Sequence, residues 1–302
     1  IGHGVTRASS CGLLHTQGQD LGHDHARAPH GTGRQGIGNR LTITAVDGGD
    51  LPPLRREALR NPAGHGIRGR PVVDNDHGEV RQGCGSGILD GFVVRALVEL
   101  GVTDHRFLGH AGKYRDSGMM GTPDNDDPAC FWRADLLAPA SDLVAVIREV
   151  RPQVLVTYDD FGGYGHPDHI QAHRVAMYAS VLAAAPSFRP DLGEAWEIAK
   201  IYWTAFPKSI VRAGIEALRA AGETTGFAAM DPDDMPFACD DALVTTTIDA
   251  EAWLERKTAA MTAHATQISM EDGFFALSNN IGSRAFGREY YRLVKGHVGP
   301  KD

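Results

Sequence analysis

The 302-residue chain has little of several things, and each shortage excludes a class. It has four cysteines, Cys11, Cys84, Cys130 and Cys239, with no CxxC spacing, which argues against a disulfide framework and a thiolate zinc site. No apolar run approaches the length of a membrane span, and no basic segment followed by an apolar one opens the sequence, so a cytoplasmic protein without membrane attachment is expected. Positive charge is scarce too. A formal net charge of -8 gives no basic face for nucleic acid and suits an enzyme with a small uncharged substrate.

The shortages are sharpest in residues 1–93. This stretch has 19 of the 36 glycines but one aromatic residue, Phe92, and no Lys, Met, Tyr or Trp. Only 41–46 alternates like a strand, and 53–59 offers a helical turn or two. So little large apolar surface cannot offset the entropy of ordering a backbone. Two origins are consistent with this composition: a disordered Gly/Arg-rich extension, or translation of GC-rich DNA in the wrong frame. The abrupt change near Val94 favours the second. By residue type alone, His23-Asp24-His25 and Asp74 to Glu79 are the segment's candidate ligands, but no convincing strand precedes either, and both read as solvated loops.

What is present is concentrated in one stretch. The β-favouring run Val154–Tyr158 ends in Asp159 and Asp160, and the loop beyond it delivers Tyr164, His166, Asp168 and His169 among Gly162, Gly163 and Gly165. Apolar residues then recur at helical spacing from Ile170. Open α/β sheets build their sites in this way, on loops at the carboxyl ends of strands. Neutral imidazole suits zinc or iron, Pro167 stiffens the loop, and Asp168 is of the type that orients a histidine ring.

The run Gly162-Gly-Tyr-Gly-His-Pro-Asp-His169 resembles the second signature of the PIG-L/LmbE-like zinc-dependent N-deacetylases. Arg115-Asp-Ser-Gly-Met119, Ile201 to Thr204, Ala263-His264-Ala-Thr-Gln267 and Ala276 to Asn280 resemble one branch, the deacetylases of mycothiol biosynthesis that act on N-acetyl-glucosaminyl-inositol. The resemblance runs from about Val94 to Tyr291, dividing the chain into a non-matching segment, 1–93, and a deacetylase-like region, 94–302. It implies an α/β fold, a Rossmann-like partly parallel sheet with flanking helices, and one zinc ion, or iron in its place. It implies His169 as a metal ligand, His166 as the group that stabilises the tetrahedral intermediate with Asp168 orienting it, and Tyr164 as a carbonyl-polarising group. Asp116 would bind hydroxyls of an amino-sugar-inositol substrate. In that family zinc polarises the acetamide carbonyl and acidifies water, and a carboxylate takes the water's proton.

The departure from the family is equally specific. Its first signature, Ala-His-Pro-Asp-Asp-Glu, supplies two further zinc ligands and the general base, and neither it nor a near variant occurs in this chain. The expectation is therefore a deacetylase impaired as written. A non-catalytic sugar-binding remnant is the alternative; a mycothiol-conjugate amidase is disfavoured by the Arg115–Met119 wording. Oligomeric state is not legible.

Around the site, helices are expected at Val93–Leu100, stopped by Gly101, at Asp142–Val150 with Ser141 as cap, and at Ser209–Ala221. Another is expected from Ala250 to His264, with Trp253 and Met261 in the core. Strands are expected at Arg106–Leu108, Gln153–Tyr158, Ala199–Phe206 and Leu243–Ile248. His173 reads as a core or rim histidine. His264 reads as a helix cap or a substrate contact, and Asn279 and Asn280 as turn residues or sugar contacts.

Overall fold

The computed structural model of the protein describes residues 86–224, 226–264 and 287–299, with backbone alone for 86–92. The expectations for residues 1–85, including both candidate ligand segments, lie outside the described residues. So do those for 265–267 and 276–280.

Two helices and a strand build the layer under the site. Helix α1 (Ser86–Leu100) starts a turn or two before the expected Val93 and ends at Gly101, whose φ of +73° suits a residue without a Cβ. Helix α2 (Leu137–Val150) also begins earlier than expected, with Pro139 in its first turn, where its missing N–H costs nothing. Ser141 thus lies inside α2, its hydroxyl donating to the Leu137 carbonyl at 2.7 Å instead of capping the helix. Strand β1 (Val154–Thr157) leads through a short helical turn, α3 (Gly162–Gly165), into the long helix α4 (Pro167–Ala184). One face of α2, with Ala140, Leu143, Val144 and Ile147, is buried against Ala172, Val175, Ala176, Ala179 and Ala183 of α4. The small residues on α4 let the two helices approach closely over Leu155 of β1.

The sheet is mixed, with order β1-β2-β4-β3. Strand β2 (Lys200–Thr204) runs parallel to β1, with Val154 opposite Lys200 and Thr157 opposite Trp203, so β1, α4 and β2 form a βαβ unit. Strand β4 (Arg288–Lys295) is antiparallel both to β2 and to β3 (Thr246–Asp249). The partly parallel α/β sheet expected from the sequence is what forms. Because β4 runs antiparallel to β2, its first residues lie beside the carboxyl end of β2, where Ala205 N donates to the Tyr290 carbonyl at 2.9 Å.

Helices α5 (Lys208–Ala220) and α6 (Leu254–Thr262) complete the described elements of ordinary length. Helix α6 packs on α1, and its buried Lys257 reaches across to β4, placing Nζ 2.7 Å from Glu289 Oε1. Tyr291 donates to the other oxygen of Glu289 at 2.7 Å. Burial and the Glu289 charge hold the Tyr291 hydroxyl protonated, well above the usual phenol range.

Three local expectations are corrected. Arg106–Leu108 joins no strand ladder among the described residues; Arg106 instead pairs with Asp104 and Glu149 in solvent while Leu108 enters the core. The expected strand at Leu243 begins only at Thr246. Residues Asp241–Leu243 are wound into a 3-10 turn, held where Lys208 meets Asp240 and Ser209 meets Asp241. Trp253 is 42% exposed, lying under the Arg256 guanidinium instead of in the core; Met261 is buried as expected.

Candidate active site

The site forms where β1 ends. Tyr158 follows the strand, and its carbonyl is bonded by His173 Nδ1 at 2.9 Å, while the His173 ring meets Trp203 edge-on. His173 thus braces the strand end from a rim position. Asp159 accepts the Gly163 N–H at 2.8 Å, and burial raises its carboxyl above the ordinary range. The chain then doubles back through the glycines, with Gly162 at φ +73°, Gly163 at +75° and Gly165 at +87°.

At Gly162 the need for glycine is steric as well as conformational. A Cβ there would lie 2.6 Å from the Ile170 nitrogen and 2.9 Å from the His169 Cβ. We predict that Gly162→Ala costs about 3 kcal/mol in urea unfolding, from left-handed strain plus forced displacement of the first turn of α4. Gly112, also left-handed at +76° but with open space around its Cβ position, should cost only about 1 kcal/mol when changed to Ala. Equal costs at the two positions would refute the steric account.

Helix α4 starts earlier than the sequence pattern suggested, so Asp168 and His169 belong to its first turn and are not loop residues. His166 is the N-cap, and its Nδ1 accepts the Asp168 backbone N–H at 3.2 Å. Accepting at Nδ1 places the ring proton on Nε2. His169 Nδ1 lies 3.1 Å from the Gly162 carbonyl, which fixes the opposite tautomer, with Nδ1 donating. Tyr158 stacks on the His169 ring at 4.1 Å and an interplanar angle of 6°, and Tyr164 meets it edge-on at 5.0 Å. The two imidazoles stand side by side, their centroids 4.9 Å apart. All three residues His166, Asp168 and His169 are buried.

Burial lowers the His166 pKa to about 4. Unfolded histidine titrates near ~6.5, so between those values the unfolded chain binds the extra proton and the folded chain does not. The contribution to stability is fully present above pH 6.5 and is lost as pH falls toward 4, reaching about 3 kcal/mol at its largest. Thermal unfolding across pH 4–7 should therefore show a drop that is smaller in His166→Gln; identical pH slopes would contradict it. Tyr164 is held protonated, its pKa raised first by burial and then by the Asp116 and Asp168 charges. That influence puts Tyr164, Asp116 and Asp168 in one neighbourhood.

Asp116 comes from a second loop, 116–130. Its Oδ1 accepts the Gly118 N–H at 2.7 Å. A short parallel bridge, Arg115 with Cys130, closes this loop, and Asn125 fills it by donating to the carbonyls of Ser117 and Met119. Asn125, in the acidic stretch 122–128, is thus the loop's internal tie, and sequence reasoning passed over it. Ser117, fully buried, is a second residue that sequence reasoning passed over: both its N–H and its hydroxyl bond the Asp168 carboxylate. Its only signal in the sequence was its place in the Arg115–Met119 segment.

The structure thus brings together all the expected site residues: Asp116, Tyr164, His166, Asp168 and His169. His264, at the end of α6, is buried with its N–H on the Met261 carbonyl at 2.9 Å, a capping position. Among the described residues, no three His, Cys, Asp or Glu side chains converge as a metal site. His169, with Nδ1 tied to a carbonyl and Nε2 therefore the coordinating nitrogen, fits a metal ion as one ligand, in the orientation second-shell bonds usually impose. The described residues do not complete the set. No helix among them is long and apolar enough to cross a membrane.

Residues 93–180 match the family described as PIG-L, GlcNAc-PI de-N-acetylase. The chain is 61% identical over 211 residues to a 1D-myo-inositol 2-acetamido-2-deoxy-alpha-D-glucopyranoside deacetylase of Geodermatophilus obscurus, covering 69% of this chain and 72% of the relative. It is 62% identical over 205 residues to a protein of the same name, numbered 1, from Catenulispora acidiphila, covering 68% and 64%. A Nocardioides relative of that name is 60% identical over 213 residues, covering 68% and 70%.

Proposed function

The chain belongs to the PIG-L family of GlcNAc-PI de-N-acetylases, and on that premise we propose that its site is built to remove the N-acetyl group from a 1D-myo-inositol 2-acetamido-2-deoxy-glucopyranoside, the reaction for which its relatives are named, and that it serves mycothiol biosynthesis as the sequence resemblance implies. The observation that carries the reading is the pairing of two imidazoles in opposite tautomers, His166 with Nε2–H and His169 with Nδ1–H, at a strand end beside a protonated tyrosine.

Each group has a task that follows from its state. His169 is the nitrogen we assign to a zinc ion, or iron in its place; when bound, such an ion supplies Lewis acidity toward an acetamide carbonyl. His166 stays neutral at ordinary pH, so its Nε2–H is a fixed hydrogen-bond donor for the carbonyl oxygen that becomes negative as the acetamide carbon turns tetrahedral. Tyr164, kept protonated and edge-on to both imidazoles, offers a second donor beside the histidine pair. Asp116 supplies an acceptor for sugar or inositol hydroxyls from the neighbouring loop. Asp168 holds His166 in place through its own main-chain N–H.

We further propose that the chain as written turns over poorly, because the carboxylate that would take the water's proton and the two remaining ligands belong to a signature this sequence lacks. That lack also keeps open the second reading, a sugar-binding remnant. An acetate-release assay on N-acetyl-glucosaminyl-inositol, together with the zinc content of the purified chain, separates the two. Stoichiometric zinc with turnover excludes the remnant. Substrate binding without zinc or turnover establishes it.

A further inference from the structure

Ser117 is buried, polar, and bonded to Asp168 of the site as well as to Trp132 and Asn125, yet no step of the chemistry uses it. Its hydroxyl accepts the Trp132 N–H at 2.9 Å. A hydroxyl has a single proton, so with Trp132 filling the acceptor side that proton goes to Asp168 Oδ1. The Ser117 N–H donates to the other carboxylate oxygen at 3.0 Å. One residue thus grips both oxygens of Asp168 with charge-assisted bonds across a sequence distance of 51 positions. Its carbonyl, in turn, is bonded by Asn125.

From this geometry we infer that Ser117 is a positioning residue: acting through Asp168, it holds His166 as an Nε2–H donor and locks the Asp116 loop to the start of α4. The inference rests on the deacetylase reading for its purpose but not for its geometry. Asp168 is the second residue of α4, and its N–H meets His166 Nδ1 only while the first turn is held in register. The Asp168 carboxylate is the handle by which that turn is held, and Ser117 is a hand on it. Asp116 is adjacent in sequence to Ser117, so a displacement of either loop moves a substrate-binding carboxylate and an oxyanion donor together.

The test reads the tautomer of His166 directly, by long-range proton–nitrogen correlation spectra of the full chain labelled with nitrogen-15 histidine, assigned with His166→Gln. The native chain is expected to show a single Nε2–H form for His166 at neutral pH. Ser117→Ala should replace it with a shifted, exchange-averaged pattern at the Nδ1 position, leaving His173 and His110 unmoved. Asp168→Asn weakens the same bonds from the other side and should give the same change. The double variant should add nothing to either single one, because both act through one contact. His166 signals unmoved in Ser117→Ala or in Asp168→Asn, or independent additive shifts in the pair, would overturn the inference. None of these readouts depends on acetate release, so loss of the deacetylase reading would leave them standing.

Discussion

Joined behind the amino-terminal third of the Geodermatophilus obscurus relative, residues 94–302 are expected to release acetate from N-acetyl-glucosaminyl-inositol at a rate near that relative's. The chain as written should be slower by at least about 10⁴-fold, since a missing general base alone removes about 10²–10⁴ and missing ligands remove the Lewis acid as well. The physical basis is division of labour across the sheet. On the proposed reading, the carboxyl end of β1 would supply the donors, His166 and Tyr164, and one metal-facing nitrogen, His169. On the same reading it supplies no carboxylate for the attacking water, a role the resemblance gives to a signature absent from this sequence. In the joined protein, His169→Ala should lower zinc affinity by at least about 100-fold, the upper end of what loss of a mere supporting group costs. Unchanged zinc content there would remove His169 from the ligand set. Full activity with stoichiometric zinc in the chain as written would end the account of impairment.

The second large effect is expected far from the chemistry. Arg148 of α2 is 5% exposed, and its guanidinium donates to the carbonyls of Leu182, Ala183 and Ala185 at the end of α4 and of Arg189 and Gly193 beyond it. The last carbonyls of a helix have no partner within it, and a positive charge there also meets the negative end of the helix dipole. The carbonyls of Leu182, Ala183, Ala185 and Arg189 each keep a backbone N–H, from Ala185, Trp196, Phe188 and Leu192. Arg148→Met should therefore cost about 4 kcal/mol through the loss of several buried bonds to a charged donor, at roughly 1.5–3 kcal/mol each before relaxation. For a folded region of this size that corresponds to a fall in Tm of about 10 °C. Arg148→Lys should recover little, since an ammonium on a single stem cannot face five acceptors arranged in a fan. A fall of less than about 3 °C in Arg148→Met, under about 1 kcal/mol, would show that water replaces the guanidinium at no great cost.

Local chemistry that needs only near neighbours was legible from residues. Gly101 ends α1, the β-branched run Val154–Thr157 is a strand, and small and apolar residues at helical spacing give α4. The cluster His166, Asp168 and His169 marked a candidate site because three chemically active groups after a strand and a glycine turn have few other uses. Its resemblance to a known signature added the family and the chemistry. The helix starts were less legible: α2 and α4 begin earlier than their apolar pattern, since Pro139 and Pro167 look like breakers in a sequence yet suit a first turn.

The sequence by itself determined the family, the identity of the candidate donors and ligand, and the absence of the first signature, because each is a matter of which residues occur and in what order. Only the tertiary structure decided which tautomer each imidazole holds, that Ser117 grips Asp168 across the fold, that Arg148 is a buried cap and not a solvated charge, and that Lys257 and Glu289 pair in the interior. These depend on partners many positions away. A polar side chain has the same identity on the surface and in the core, and what it does there is set by which groups the fold brings within hydrogen-bond reach.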